Sequence, residues 1–288
     1  LILQFTHISL SLNGAEQYHH QLAKELIARG HAVIPCCHQV QGEVLYDGVL
    51  AVEYSQFKRL YQWADLIITT PGKMRSNPLK KPVVFIQHNQ NREPWDMSAD
   101  RVVYCAEHVA KTVNYTCKDS YVFWPFNRYA GTEPLPPKPD GYITLANCNP
   151  NKGGRLLQYI AKKLPQYQFL GVHAGYGYQV KGEAENLHYT EGKADLRELL
   201  IDTSVLIMPS EKEGLPTLAQ EAMALGIPVV GSAIPAFVEL GLRSNCKPRR
   251  DYLIEDIEKT MTNYLQEREK MLTLVAANEA KRNIEAFV

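Results

Sequence analysis

The sequence has no long hydrophobic run and no excess of charge of either sign. No apolar stretch approaches the roughly 18–20 residues that cross a bilayer, so the sequence predicts no transmembrane helix. The 31 basic residues equal the 31 acidic ones in number, which argues against a globally basic nucleic-acid-binding protein. The 288 residues, of which 45% are hydrophobic, are enough for two globular domains.

The sequence also has little that would bind a metal. Its 6 cysteines include no pair separated by two residues and have no matching set of histidines, and no Asp-x-Asp motif occurs. This pattern predicts no zinc site. Small buried thiols suit a reducing compartment, and we therefore expect a cytoplasmic protein.

Residues 204–230 form the most informative stretch of the chain. An apolar run at its start predicts a buried strand, and Gly214 with Pro216 predicts a tight turn after it. Thr217 is the predicted N-cap of a helix that Gly226 ends. A second apolar run follows, so the stretch is predicted to be a strand, a loop, a helix and a strand.

Two glutamates in this stretch are separated by seven residues. Glu213 lies in the predicted loop and Glu221 in the opening turns of the helix, so both can face one crevice beyond the strand ends. Between them, the N–H groups of residues 215–218 are the unpaired donors of a helix N-terminus, which attracts phosphate. Carboxylates accept hydrogen bonds from hydroxyls, whereas N–H donors bind a diphosphate. The combination predicts a nucleotide sugar as the ligand.

The whole run resembles a known motif. Glu213, Glu221 and the tail Ala-Met-Ala-Leu-Gly-Ile-Pro-Val at residues 222–229 resemble the donor-site motif of retaining family 4 glycosyltransferases, also called glycosyl transferases group 1. The resemblance implies the GT-B fold, an α/β architecture of two Rossmann-like, doubly wound parallel-sheet domains that face a cleft. It also implies transfer of a hexose from a UDP- or GDP-linked sugar, with retention of the anomeric configuration and without a metal or other cofactor.

The resemblance assigns roles to individual residues. It implies catalytic roles for His88, Glu213 and Lys152. Donor binding is implied for residues at the first turn of each domain and at the start of the helix, namely Gly14, Asn147, Lys152, Gly153, Gly214, Leu215, Pro216, Thr217 and Glu221. His88 follows an apolar run at the carboxyl end of a predicted strand, where ligands of open α/β sheets bind. Structural roles are predicted for seven other histidines, namely His19, His20, His31, His38, His108, His173 and His188.

Asn147 departs from the family pattern, because relatives commonly carry an arginine there. A bidentate guanidinium would be lost from the diphosphate site. This departure and the short first domain motivate an alternative, a catalytically silent subunit that binds a nucleotide sugar. A nucleotide-sugar epimerase is a further alternative within the same fold.

Composition and pattern also predict the domain organisation. Residues 1–128 are expected to form a Rossmann-like acceptor domain, because strand, loop, helix and strand follow one another at its start. The proline-rich residues 129–141 are predicted to be a linker, and residues 142–270 the donor domain. Residues 271–288 are expected to form a helix that crosses back to the first domain.

Residues 71–82 form a basic loop with four cations and no acidic residue. The sequence leaves two interpretations open, a solvated loop or a lip that guides an anionic acceptor, made of Lys73, Arg75, Lys80 and Lys81. The lip motivates a third alternative, a nucleic-acid-modifying glycosyltransferase. The predicted partners are a nucleotide-sugar donor and an acceptor that is a glycan, a lipid, a small molecule or a nucleic acid.

Overall fold

The structure is a computed structural model in which the chain divides into two compact units. Unit 1 consists of Leu1–Phe126 with Arg282–Val288, and unit 2 consists of Asn127–Lys281. Within the described ranges, no helix is long and apolar enough to span a membrane. The described residues are 1–5, 14–37, 40–70, 77–92, 99–115, 117, 119–174, 177–193, 195–242, 250–282 and 284.

Unit 1 is built on a sheet whose strands are parallel except for one antiparallel pair at its edge. Its described elements are β1 (Ile2–Phe5), α1 (Gly14–Ala28), β2 (Val33–Cys37), β3 (Glu43–Tyr46), β4 (Val49–Glu53), α2 (Phe57–Tyr61), β5 (Leu66–Thr69), β6 (Val83–Gln87), β7 (Arg101–Tyr104), α3 (Glu107–Val113) and β8 (Asp119–Val122). The strand order in this eight-stranded sheet is β3-β4-β2-β1-β5-β6-β7-β8. Helix α1 packs Tyr18, Leu22 and Leu26, spaced four residues apart, into the core against the sheet.

The edge of this sheet holds one element that the sequence analysis missed. Strands β3 and β4 pair antiparallel through a two-residue turn in which Asp47 has φ 45° and Gly48 has φ 78°. Two consecutive left-handed residues are what a type I′ hairpin turn requires. The dipeptide Asp-Gly between apolar residues was the sequence signal for it.

Unit 2 is built on a smaller sheet of parallel strands. Its described elements are β9 (Tyr142–Leu145), α4 (Gly154–Lys163), β10 (Phe169–His173), β11 (Leu187–Glu191), α5 (Leu196–Leu200), β12 (Thr203–Met208), α6 (Thr217–Ala224), β13 (Val229–Gly231), α7 (Pro235–Glu239), α8 (Arg250–Thr262) and α9 (Tyr264–Glu279). The order β11-β10-β9-β12-β13 reverses direction between β9 and β12. Such a switch point is where open α/β sheets bind ligands.

Helix α6 differs from the prediction at its start and agrees with it at its end. Thr217 is the first helical residue, and Pro216 occupies the N-cap position without a side-chain hydrogen bond. The prediction of Thr217 as N-cap was wrong. Thr217 already has helical backbone, and Pro216, whose backbone is extended, is the residue that precedes the first turn. Gly226 ends the helix in the left-handed region at φ 74°, and its N–H donates to Met223 O at 3.0 Å.

The proline-rich segment is bonded to unit 2. The N–H of Leu135 donates to Leu225 O at 3.0 Å, and the N–H of Lys138 donates to the Tyr264 hydroxyl at 2.9 Å. From α9, Arg268 donates to Gly226 O at 2.7 Å and also to Leu135 O. Residues 127–141 and helix α9 therefore both belong to unit 2, and unit 1 takes up the chain again at residue 282.

Candidate functional site

The loop after β9 is shaped by its own asparagines. The Oδ1 atom of Asn147 accepts from the N–H of Asn149 at 3.0 Å, and that of Asn149 accepts from the N–H of Asn151, also at 3.0 Å. Side chains that bond the backbone two residues ahead stabilise a turn. The side chain of Asn147 is therefore used inside the loop.

Two loops meet at the carboxyl edge of the unit 2 sheet. The loop after β9 ends at Gly153, which has φ 95°, and a Cβ atom there would lie 2.1 Å from Cγ of Pro209, just after β12. The N–H of Glu211 donates to Asn151 O at 3.1 Å. Only glycine allows this approach, because it has neither a Cβ atom nor a penalty at positive φ. The loops that follow β9 and β12 are thus held together at the switch point.

Lys152 and Glu213 form an ion pair where these two loops meet. The Nζ atom of Lys152 donates to Oε1 of Glu213 at 2.6 Å, and the side chains are 26% and 10% exposed. A charged hydrogen bond this short and this shielded is among the stronger polar contacts in proteins. The structure therefore brings two of the three predicted catalytic residues together and leaves part of the lysine accessible.

Glu221 lies in α6 and pairs with a second cation. The Nε atom of Arg128 lies 2.7 Å from Oε1 of Glu221, whose side chain is 9% exposed. Burial raises the pKa of Glu221 to about 7, against the lowering effect of Arg128. The guanidinium of Arg128 also lies over the ring of Tyr129, 5.0 Å from its centroid. The sequence analysis gave no role to Arg128, because nothing in the pattern connects it to a residue 93 positions away.

The start of α6 completes the site in unit 2. Leu215 and Pro216 are buried, whereas Gly214 and Thr217 are partly exposed. The N–H groups of the first helical turn have no partner within the helix. They and the positive end of the helix dipole favour an anion at this place. The site thus combines two carboxylates, two cations and a helix N-terminus.

In unit 1, His88 lies at the carboxyl edge of the sheet directly after β6. Its Nε2 atom is 3.0 Å from Nε2 of His19, which projects from α1 and is buried. Burial lowers the pKa of His88 to about 4, and burial together with the charge of His88 lowers the pKa of His19 well below its usual value. The prediction for His88 named no partner. His19 lies in the helix after β1 and His88 in the loop after β6, so no spacing in the sequence indicates that they are in contact.

The other predicted residues of unit 1 have different positions. Gly14 is exposed and begins α1. Lys80 and Lys81 precede β6, whereas His88 follows it, so they lie at opposite edges of the sheet. The strand separates them by about 17 Å at 3.3 Å per residue. Lys80 and Lys81 therefore lie at the amino ends of the strands, and their part in an anion lip stays a prediction. Lys73 and Arg75 lie outside the described residues.

Comparison with known proteins gives one family match. Residues 144–267 match the family model described as glycosyl transferases group 1. This segment contains Lys152, Glu213 and Glu221, and therefore both glutamates of the site and one of its cations. No curated protein sequence matches the chain.

Solved structures resemble the whole chain at low sequence identity. HepE of Anabaena in complex with UDP-glucose has a TM-score of 0.74 at 14% identity, covering 99% of this chain and 96% of that one. A sucrose-phosphate synthase from Thermosynechococcus elongatus has a TM-score of 0.73 at 15% identity, with coverage of 99% and 96%. WaaG, a glycosyltransferase involved in lipopolysaccharide biosynthesis, has a TM-score of 0.68 at 13% identity, with coverage of 96% and 95%. The chain has the GT-B fold, as the sequence predicted.

Proposed function

We propose that this protein is a glycosyltransferase that moves a sugar from a nucleotide diphosphate sugar to an acceptor and retains the anomeric configuration. The observation that carries the proposal is the Lys152–Glu213 ion pair at the switch point of a parallel sheet. It lies inside the segment that matches the glycosyltransferase family model. A cation for the diphosphate and a carboxylate for the sugar hydroxyls are thus within reach of one ligand.

In the proposed reaction, Lys152 and the first-turn N–H groups of α6 bind the diphosphate. As the bond to the sugar breaks, negative charge grows on the departing phosphate, and these donors are already in place to stabilise it. Glu213 accepts hydrogen bonds from the sugar hydroxyls and supports positive charge at the reacting carbon. Because protein donors offset the phosphate charge, we propose that the transfer needs no bound metal.

Glu221 has a different task in this proposal. It accepts hydrogen bonds from the hydroxyls of the nucleotide ribose, for which the ionised carboxylate is the better acceptor. Arg128 opposes the effect of burial on Glu221 and so favours that ionised form. His88, at the carboxyl edge of the unit 1 sheet, is proposed to contact the transferred sugar or the acceptor.

Two features bear on the acceptor and the location. Lys80 and Lys81 give no support to nucleic acid as the acceptor, because they lie at the opposite edge of the sheet from His88.

The described cysteines are all free thiols, and four of the five are buried. This is the usual state in a reducing compartment, so we propose that the protein is cytoplasmic.

A second candidate function is a nucleotide-sugar-binding subunit without transferase activity. The observation that favours it is Asn147, whose side chain is used by its own loop and supplies no guanidinium to the diphosphate. Both candidates predict nucleotide binding by unit 2, and only the enzyme predicts turnover.

Thermal unfolding with a panel of ligands tests the proposal. UDP, GDP, ADP and their common sugar conjugates are added at saturating concentration, with UDP-glucose first because HepE was solved with it. A ligand at 100 times its dissociation constant stabilises the folded protein by about 2.7 kcal/mol. We expect such a shift for one nucleotide, and its loss in Glu221→Ala.

Glu185→Ala is the matched control, since Glu185 is an exposed glutamate of the same unit. Its ligand-induced shift should equal that of the wild type. The anomeric configuration of the product, read by NMR, then tests retention. A shift without turnover would identify the silent subunit, and no shift with any nucleotide would contradict both candidates.

A further inference from the structure

His19 and His88 form a contact that the proposed reaction does not yet use. Their Nε2 atoms are 3.0 Å apart and their ring centroids 5.0 Å apart. His19 is 1% exposed, whereas His88 is half-buried at the carboxyl edge of the unit 1 sheet. Two nitrogens at this distance share one proton, so one ring donates and the other accepts.

Among the described residues, the groups that contact His88 are uncharged. The ring of Tyr18 meets it edge to face, with centroids 5.0 Å apart, and the Tyr18 hydroxyl donates to Phe123 O at 3.1 Å. The thiol of Cys105 lies 3.3 Å from the carbonyl oxygen of His88 and donates to it. Because burial lowers the pKa of both histidines, both rings are neutral near pH 7.

The buried Nδ1 atom of His19 decides which ring donates. Among the described residues, this atom has no hydrogen-bond partner. If His88 donated, His19 would carry its own proton on Nδ1, and a buried N–H would have no acceptor. If His19 donates, its Nδ1 atom carries no proton, and only a lone pair is left without a partner. Orphaned buried N–H groups are the rarer of the two defects, so the second arrangement is favoured.

We propose that His19 is a positioning residue that donates its Nε2–H to His88 and thereby holds His88 as the Nδ1–H tautomer. The Nδ1 atom of His88, which His19 does not contact, is then a hydrogen-bond donor. The Nε2 atom of His88 already accepts from His19, so the ring has no nitrogen left to take up a proton. His88 therefore contacts an oxygen atom of its ligand as a neutral hydrogen-bond donor and does not act as a base. This last step rests on the function proposed above, whereas the arrangement of the two rings does not.

NMR of the ¹⁵N-labelled protein without ligand tests the arrangement directly. Long-range correlations of the ring nitrogens show which one carries the proton, and the His88 signals are identified by their loss in His88→Gln. We expect the proton of His88 on Nδ1 in the wild type. A proton on Nε2 of His88 would overturn the proposal.

Two substitutions of His19 separate positioning from packing. His19→Met fills similar space without a donor, and we expect His88 to return to the Nε2–H form that the side chain of free histidine prefers. His19→Gln restores an N–H donor, and we expect the Nδ1–H form to return with it. An unchanged tautomer in a folded His19→Met variant would contradict the role of His19.

The neighbouring His20 is the control. Its Nε2 faces Oδ2 of Asp47 at 3.2 Å, away from His88, so His20→Gln should leave the His88 signals unchanged. In a transfer assay, His19→Met should lower kcat by about fivefold, the value of one hydrogen bond, with recovery in His19→Gln. The tautomer is read without donor or acceptor, so a protein that shows it but transfers no sugar would contradict only the proposed function.

Discussion

The carboxyl edges of the two sheets are built from opposite kinds of side chain. In unit 1, the edge holds two neutral imidazoles among Tyr18 and Cys105. In unit 2, two glutamates each lie beside a cation, in the pairs Lys152–Glu213 and Arg128–Glu221. Burial suppresses charge at the first edge, whereas at the second each carboxylate has a cation within 3 Å.

This difference indicates how the proposed work is divided between the units. In the proposed reaction, a diphosphate and a developing positive charge need charges of both signs, and we propose that unit 2 supplies them. An uncharged hydroxyl or ring oxygen needs an oriented donor, and we propose that unit 1 supplies one. Substitutions that remove a charge should therefore cost more activity than substitutions that remove a neutral donor.

Removal of the Lys152–Glu213 charges should have the largest effect. We expect Lys152→Met and Glu213→Gln each to lower kcat/KM by about 10²–10³-fold, the usual loss for a group that stabilises transition-state charge. His88→Met should cost about fivefold, because it removes a neutral hydrogen-bond donor worth about 1 kcal/mol. Steady-state transfer assays measure these values, and circular dichroism melts verify the fold. Full activity in both charge variants would place the site elsewhere.

The close approach of the unit 2 loops should show in stability. Gly153→Ala places a methyl group against Pro209 at positive φ, and we expect it to lower the free energy of unfolding by roughly 2–4 kcal/mol. Gly131→Ala is the control, because Gly131 has φ 73° but nothing within 4 Å of the added Cβ. It should cost about 1–2 kcal/mol. Urea denaturation compares them, and equal losses would mean that the contact with Pro209 adds nothing.

The buried carboxylate should give unit 2 a smaller, pH-dependent signature. The pKa of Glu221 is raised from 4.5 to about 7, so the folded protein binds its proton more tightly than the unfolded chain does. The contribution of Glu221 to stability is therefore full below pH 4.5 and falls as the pH rises to about 7. The slope is at most about 1.4 kcal/mol per pH unit.

Denaturation of Glu221→Gln across the same pH range measures this contribution. The variant should lack the decline, because glutamine has no proton to lose. Arg128→Gln should extend the decline to higher pH, since Arg128 lowers the pKa of Glu221. Identical pH profiles for the wild type and Glu221→Gln would show that Glu221 does not titrate in this window.

The sequence predicted those parts of the molecule that depend on local pattern. The glutamate spacing and Gly226 located helix α6 and both carboxylates, and the apolar runs located most strands. The Asp47–Gly48 turn was equally local and was overlooked, so strand β3 was missed. Thr217 was assigned the cap because its side chain can accept a hydrogen bond, but Pro216 already has the extended backbone that starts the helix.

The partners of the site residues were not predictable in the same way. Arg128, the last residue of the predicted first domain, reaches Glu221 in the second unit's helix α6 across 93 positions of sequence, and His19 reaches His88 across 69. A single histidine on an otherwise amphipathic helix is most often structural. Contacts of this kind depend on the order of the strands and the placement of the helices. The separation of two residues along the chain does not reveal them.

Helix α9 has a consequence for the order in which the protein folds during synthesis. Arg268 binds the carbonyl groups of Gly226 and Leu135, and Arg282 donates to Pro125 O at 2.7 Å in unit 1. Ile284 packs against the core of unit 1. Both units therefore complete their contacts with residues that leave the ribosome after position 263. We therefore expect neither unit to form all of its native contacts until this region has been translated.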